Sequence, residues 1–394
     1  MSAEVPFSNF QNEIYFAGLN DVLPQWPTNL LELEDMARRE LHPGAFGYVA
    51  GSAGTSATYR ANLESMHAWR IVARVLRNVE NRDLSSTVLG THLKAPLLLG
   101  PVGVQTIVHP EGELATARAA ASVGIPFVLS TASSYAMEEV AEAAGQGPRW
   151  YQLYWPREQD VAASLVARAE AAGFTAIVVT LDTFMLGWRP TDHATAYLPF
   201  LRGTGIANYL SDPAFRAGLP EGADAQAAIL HWALMFGNPA LTWSDLKWLR
   251  ARTSLPIVLK GVMSADDAKL AVDAGVDAII CSNHGGRQLD GSVGAIAALP
   301  GIVEAVNGAM PVLFDSGIRG GADMFKAIAL GAAAVLLARP YVYGLGLGGE
   351  AGVRHVIRTL LGEFDVTMAM AGTTSLAQVN RTCLTPGPRC PCNT

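Results

Sequence analysis

Apolar residues in this chain fall into short, solid runs and do not alternate with polar ones. Eight such runs begin near Ala95, Pro126, Arg149, Ala176, Pro256, Ala278, Pro311 and Ala334. Each is followed by a stretch of helical periodicity. Alternation would mark strands with one wet face, whereas solid runs mark strands covered on both faces. The intervals between starts are 31, 23, 27, 80, 22, 33 and 23 residues. Steps of roughly 20–35 residues hold one strand and one helix. Helical stretches close on Ser122-Val123-Gly124, Ala171-Ala172-Gly173, Asp273-Ala274-Gly275 and Ala329-Leu330-Gly331. Glycine there takes the left-handed position that ends a helix before the next strand. Eight such units predict an α/β fold, a closed (β/α)8 barrel of the TIM type.

The interval of 80 leaves an insert at 190–241, far longer than an ordinary connection. It leaves from the C-terminal end of the fourth strand, the face on which barrels build sites. A lid over that face is one reading; a passive insertion or an oligomer contact is the other. Residues 1–90 carry no barrel repeat and are expected to form a helical cap, with helices around Leu30 to Glu40 and Ala45 to Ala50. Residues 91–380 would be the barrel, and 381–394 a disordered tail, all in one domain.

Composition narrows the class. Half of the 394 residues are hydrophobic and 16% are charged, enough for a sizeable core. The net charge of −7, with no basic run longer than Arg38-Arg39, excludes a general nucleic-acid binder. No apolar stretch has the length of a membrane span. The N-terminus lacks a basic-then-apolar leader, so the cytoplasm is the expected location. Four cysteines are too few for a disulfide framework. Cys281 belongs to a core strand. Cys383, Cys390 and Cys392 fit no common zinc spacing, and no metal is expected.

The strand ends carry the chemistry. Pro101 and Gly103 follow the first strand, and Ser130 and Thr131 the second. Gln152-Leu153-Tyr154 ends the third. Thr180-Leu181-Asp182 ends the fourth, with Arg189 seven residues on. Lys260 ends the fifth. The sixth runs into Ser282-Asn283-His284-Gly285-Gly286-Arg287-Gln288, which sets a base and a cation three residues apart on a glycine-rich turn. Asp315-Ser316-Gly317 with Arg319 ends the seventh, and Arg339 the eighth. A packed core does not require a polar group at each of these places. Together they predict a polar cup with several cations, suited to an anionic substrate and a phosphate-bearing cofactor. Gly344-Leu345-Gly346-Leu347-Gly348-Gly349 matches a dinucleotide fingerprint but follows the wrong strand. It reads as a flexible turn into the last helix.

These motifs resemble the FMN-dependent 2-hydroxy acid oxidases and dehydrogenases. The resemblance rests on the His284 motif, Gln152-Leu153-Tyr154, Thr180-Leu181-Asp182-Thr183, Leu259-Lys260-Gly261, Asp315-Ser316-Gly317-Ile318-Arg319 and His109-Pro110-Glu111-Gly112-Glu113. It runs from about Tyr15 to about Ala377. Gly187-Trp188-Arg189-Pro190, Pro199-Phe200-Leu201-Arg202-Gly203 and Asn12-Glu13-Ile14-Tyr15 are similar to the lactate 2-monooxygenase branch.

The resemblance implies roles. His284 would be the base, with Asp182 orienting its imidazole. Arg287 and Arg189 would grip the substrate carboxylate. Tyr48 and Tyr154 would hydrogen-bond the carboxylate or hydroxyl, and Tyr154 is counted with the catalytic groups. Lys260 would stand by the flavin N1/O2 edge. Ser130, Gln152 and Thr180 would bind the ring's polar edge, with Pro101, Val102 and Gly103 along the ring and Ser282 nearby. Asp315 would meet the ribityl chain. Ser316, Gly317, Arg319, Ala338 and Arg339 would form the phosphate end.

The implied reaction is oxidation of an (S)-2-hydroxy acid by FMN and O2. L-lactate going to acetate, CO2 and water leads, and release of a keto acid with peroxide is the alternative. A non-redox FMN isomerase is the reading from another class. A homo-tetramer or homo-octamer is implied, without nucleic-acid or membrane partners. Two departures from the family stand out. Gly103 replaces the alanine of many oxidases, and Ala132 stands where glycolate-type members carry a large aromatic. The first would leave room beside the flavin; the second would enlarge the substrate cavity unless a lid side chain fills it.

Overall fold

The computed structural model describes residues 5–387. Its centre is a closed barrel of eight parallel strands taken in chain order. They are Leu97–Leu99, Phe127–Ser130, Arg149–Leu153, Ile177–Thr180, Ile257–Val262, Ala278–Cys281, Val312–Phe314 and Ala334–Leu337. Val335 pairs with Leu97 and Leu337 with Leu99, so the eighth strand closes on the first. Every strand begins within two residues of an apolar run read from the sequence.

Alternate strand residues face opposite ways. Leu98, Val128, Trp150, Val178, Val258, Ile280, Leu313 and Leu336 form one cluster inside the ring, while Leu97, Leu99, Phe127 and Leu129 pack into the larger core shared with the helices. A hairpin, Ser86–Val88 with Thr91–Leu93, adds Val88 and Leu93 to the inner cluster. Trp150 Nε1 donates to Thr91 Oγ1 at 3.0 Å, which ties that hairpin to the third strand. The C-terminal face is left for a site.

Among the described residues the cap contains four helices: α1 (Asn9–Gly18), α2 (Leu30–Glu40), α3 (Pro43–Ala50) and α4 (Ala57–Met66). The sequence reading found α2 and α3 and missed α1, which buries none of its residues, and α4. The insert folds into short helical pieces, Pro190–Thr195, Pro199–Arg202, Ala207–Leu210, Pro213–Ala217 and Ala225–Met235. Its aromatics pack on one another: Phe200 stacks on Trp232 with centroids 4.8 Å apart, and Trp232 meets Phe236 at 4.8 Å.

Two expectations change. The glycine-rich motif lies inside the helix Arg339–Met370 and interrupts it at Gly348 and Gly349, so that Gly344 and Gly352 come into backbone contact. The expected disordered tail is ordered where it is described. Arg381–Cys383 forms a turn, and Leu384–Pro386 pairs antiparallel with Trp69–Ile71. Pro386 sits at a strand end, and the Arg381 guanidinium lies 3.9 Å from the Trp69 ring centroid. Cys390 and Cys392 fall outside the described residues. Among those described, no group of three or more His, Cys, Asp or Glu side chains could hold a metal, and no helix is long and apolar enough to cross a membrane.

Candidate active site

The sixth strand ends at Cys281 and the chain enters a tight turn. His284, Gly285 and Gly286 all carry positive φ, at 57°, 65° and 75°. A left-handed histidine is strained and needs support from its surroundings. Asn283 provides it: its Oδ1 accepts from Gly286 N, and its amide pairs with Asn62 of α4 in both directions at 2.7 and 2.9 Å. A Cβ on Gly286 would stand 2.6 Å from Tyr59 N, so the glycine here serves the approach of α4. The turn thus fixes His284 against the cap.

His284 Nδ1 lies 2.7 Å from Asp182 Oδ1 at the end of the fourth strand. Thr183 Oγ1 bridges them, 3.1 Å from Asp182 Oδ1 and 3.2 Å from His284 Nδ1. Burial works against the Asp182 carboxylate, yet His284 and Lys260 outweigh it and hold the group down to about 2. Asp182 is therefore ionised and fixes the proton on Nδ1, leaving Nε2 as an acceptor. Burial pushes the imidazole below its usual range, and Asp182 only partly opposes this. A neutral histidine with a free nitrogen is a base ready to take a proton.

Two arginines face the same cleft. Arg189 is buried; its Nη2 donates to Gln288 Oε1 at 2.6 Å and its Nε to the Arg287 carbonyl at 3.1 Å. Arg287 Nη1 donates to the carbonyls of Tyr48 and Gly51, each at 2.7 Å. Burial first, then the neighbouring Arg189, push Arg287 down to about 9. The nearby acid, Asp192, has Oδ2 3.8 Å from Arg189 Nη1, and burial pushes its own carboxyl up. Two guanidiniums, one buried and one half-buried, so poorly neutralised form a place for a carboxylate. Tyr48 and Tyr154 line the cleft beside them.

The cleft continues past Lys260 to the seventh and eighth strands. Lys260 Nζ reaches Ser282 Oγ at 2.9 Å and Asp315 Oδ2 at 3.2 Å. Burial opposes its charge, and Asp315 with Asp182 overcomes it, for a net upward shift. Pro101, Val102, Gly103, Ser130, Asp315, Ser316, Gly317, Arg319, Ala338 and Arg339 all line the cleft. Gln152, Thr180 and Ser282 lie buried outside that lining. Gln152 Oε1 is used by Ser130 Oγ at 3.0 Å, while its Nε2 has no partner among the described residues. Arg319 Nε is likewise buried without a partner. A flat ligand with a polar edge at one end and an anion at the other matches these two spare donors.

Arg339 lines the cleft and also holds the cap. Its guanidinium donates to the carbonyls of Val49, Gly51 and Gly285 at 3.2, 2.8 and 2.9 Å. The last carbonyls of α3 need partners, and Arg339 and Arg287 supply them. The start of the helix Arg339–Met370 adds backbone donors suited to a phosphate. Gly103 departs from the expectation. A Cβ there would stand 2.5 Å from the Ala132 carbonyl oxygen, so the missing methyl points at the neighbouring loop and opens no room in the cleft.

The sequence reading brought together His284, Asp182, Arg189, Arg287, Lys260 and both tyrosines. It assigned no role to Thr183, although it adjoins Asp182, or to Leu186, Phe200 and Phe236, which also line the cleft. Phe200 was visible within its motif. Its aim was not.

Comparison with known proteins agrees with the chemistry of the cleft. The FMN-dependent dehydrogenase family matches residues 37–386. An FMN-dependent alpha-hydroxy acid dehydrogenase of Penicillium citrinum, qulF, is 43% identical, with 96% of each chain covered. An L-lactate oxidase of Lysinibacillus sphaericus is 45% identical, covering 89% of this chain and 91% of that one. A crystal structure of mandelate oxidase with (S)-4-hydroxymandelic acid superposes with a TM-score of 0.82 at 39% identity, covering 91% of this chain and 98% of that one. With its barrel, its His284–Asp182 pair and its two cleft arginines, the chain belongs to the FMN-dependent dehydrogenase family and is an FMN-dependent 2-hydroxy acid oxidoreductase.

Proposed function

We propose that the enzyme oxidises a short (S)-2-hydroxy acid, L-lactate first among them, with O2 as the final acceptor, and retains the keto acid long enough to decarboxylate it. The observation that carries the reading is the His284–Asp182 pair at 2.7 Å, facing buried Arg189 and half-buried Arg287, which lack a full acid partner. Arg287 and Arg189 hold the substrate carboxylate, and the planar fork fixes which face of C2 is presented. Tyr48 and Tyr154 orient the hydroxyl. His284 Nε2 takes the substrate proton released as C2 is oxidised, and Asp182 stabilises the imidazolium.

FMN would supply a two-electron acceptor that can pass the electrons on to O2. Ser130 and Gln152 would hold its polar edge, Lys260 the N1/O2 edge, and Arg319 with the start of the helix Arg339–Met370 its phosphate. The net first reaction is lactate + O2 giving pyruvate + H2O2. If both products stay in the cleft, pyruvate + H2O2 gives acetate + CO2 + H2O. Retention requires closure, and the insert brings Phe200 and Phe236 onto the cleft.

Release of keto acid and peroxide is the second reading. It is favoured by Gly103, whose Cβ direction meets Ala132 and frees no space for oxygen, and by the lactate oxidase relatives. The experiment is anaerobic mixing with L-lactate, then air and product counting. Acetate and CO2 with little free peroxide support the proposal. Pyruvate and peroxide in equal amounts establish the oxidase, and no bleaching of the flavin by any 2-hydroxy acid defeats both. A cytoplasmic homo-tetramer or homo-octamer completes the proposal.

A further inference from the structure

We infer that Phe200 and Phe236, both supplied by the insert region, form the wall that limits the substrate side chain, so that size selection is carried by the insert and not by the barrel. The inference rests on the 2-hydroxy acid reading above.

The barrel presents little bulk where the side chain would lie. Ala132, after the second strand, offers a methyl group, and Gly103 beside it offers only hydrogen. The insert comes down at this point. A Cβ on Gly205 would stand 3.0 Å from the Ala132 carbonyl oxygen and 2.9 Å from Phe200 Cε1, and it would run into the Val104 side chain. Such an approach is open only to glycine, and it seats the insert directly on the strand end.

From that seat the two rings enter the cleft lining with Leu186. Phe200 stacks on Trp232 at 4.8 Å and meets Tyr48 edge-on at 6.4 Å. Phe236 lies 6.1 Å from Phe200 and meets Tyr154 edge-on at 5.3 Å. The rings therefore adjoin both tyrosines that face the substrate's polar end. Phe200 and Trp232 are 6% and 4% exposed, so the wall is packed from behind and does not yield freely. A methyl side chain fits against such a wall, whereas a phenyl group must displace a ring from its stack.

The test uses the FMN-loaded enzyme with Phe200→Ala, Phe236→Ala and the milder Phe200→Leu and Phe236→Leu. Flavin reduction is followed anaerobically with L-lactate, (S)-2-hydroxyhexanoate and (S)-mandelate. The expected result is a rise of at least about tenfold in the mandelate-to-lactate ratio of kcat/KM for the alanine variants. The leucine variants, which keep most of the packing, should raise the 2-hydroxyhexanoate-to-lactate ratio. Equal losses on all substrates would show that the rings only prop Tyr48 and Tyr154, and would overturn the inference. So would ratios that stay fixed in all four variants while the parent is reduced by lactate. A parent that no 2-hydroxy acid reduces overturns the functional reading, and this inference with it.

Discussion

Replacing Asp182 by Asn isolates one charge at the centre of the proposed chemistry. The carboxylate sits 2.7 Å from His284 Nδ1 and is held down from 3.8 to about 2. That shift corresponds to about 2 kcal/mol of preference for the charged form. A Coulomb estimate for an imidazolium and a carboxylate about 4 Å apart at an effective dielectric of 20 gives about 4 kcal/mol. Asn keeps the shape and loses this attraction just when His284 becomes cationic. The rate of flavin reduction should fall by roughly 30- to 1,000-fold. FMN should stay bound, because Asp182 does not line the cleft. The pH profile gives a second readout. Asp182 raises the His284 pKa against the effect of burial, so removing it moves the acid limb of kcat/KM to lower pH. Anaerobic stopped-flow across pH measures both. A reduction rate within about threefold of the parent, or an acid limb moved upward, would refute the role given to this pair.

Other substitutions probe separate parts of the site. Arg287→Lys should lower kcat/KM by about two orders of magnitude or more, seen in steady-state kinetics, because one ammonium cannot hold the Tyr48 and Gly51 carbonyls and also fork a carboxylate. Glu113 is buried, with Oε1 accepting from Gln105 N and Ser134 N at 3.0 Å each, and burial pushes it up to about 7. Because its folded pKa is raised above 4.5, its contribution to stability is full below that value and is lost as pH rises through 7. Glu113→Gln keeps both acceptor contacts without a charge, so thermal unfolding at pH 5 and 8.5 should show the parent losing up to about 3 kcal/mol that the variant does not lose. Gly103→Ala forces a methyl against the Ala132 carbonyl and should cost about 1–3 kcal/mol. By lifting the loop beneath the insert it should also increase the peroxide released per turnover.

The barrel was legible because strands covered on both faces need solid apolar runs, and Trp150, Val178 and Ile280 could not sit elsewhere. The reactive pair was legible because His284 and Asp182 end strands that share one rim. The second task of Arg339 was not legible: the need of α3 for partners at Val49 and Gly51 is invisible in the residues around position 339. Leu384–Pro386 was misread because proline and glycine suggested disorder, while its pairing strand lies more than 300 residues earlier. Phe200 and Phe236 lie in a stretch without strong periodicity, where the chain shows aromatics but not their direction.

The dependence of Arg287 and Arg339 on carbonyls near Gly51 also sets a clock. These partners are separated by up to 290 residues along the chain. A ribosome adding about 5–20 residues per second emits the cap tens of seconds before the arginines that will clamp it. During that time α3 ends in carbonyls with no protein donor, and the first barrel strand waits for the eighth. The strand Leu384–Pro386 then pairs with Trp69–Ile71, just after the last cap helix. The cleft is consequently complete only once the eighth strand and Arg339 have emerged, and a message cut short before them yields a protein with its histidine and aspartate in sequence but no closed cleft to put them in.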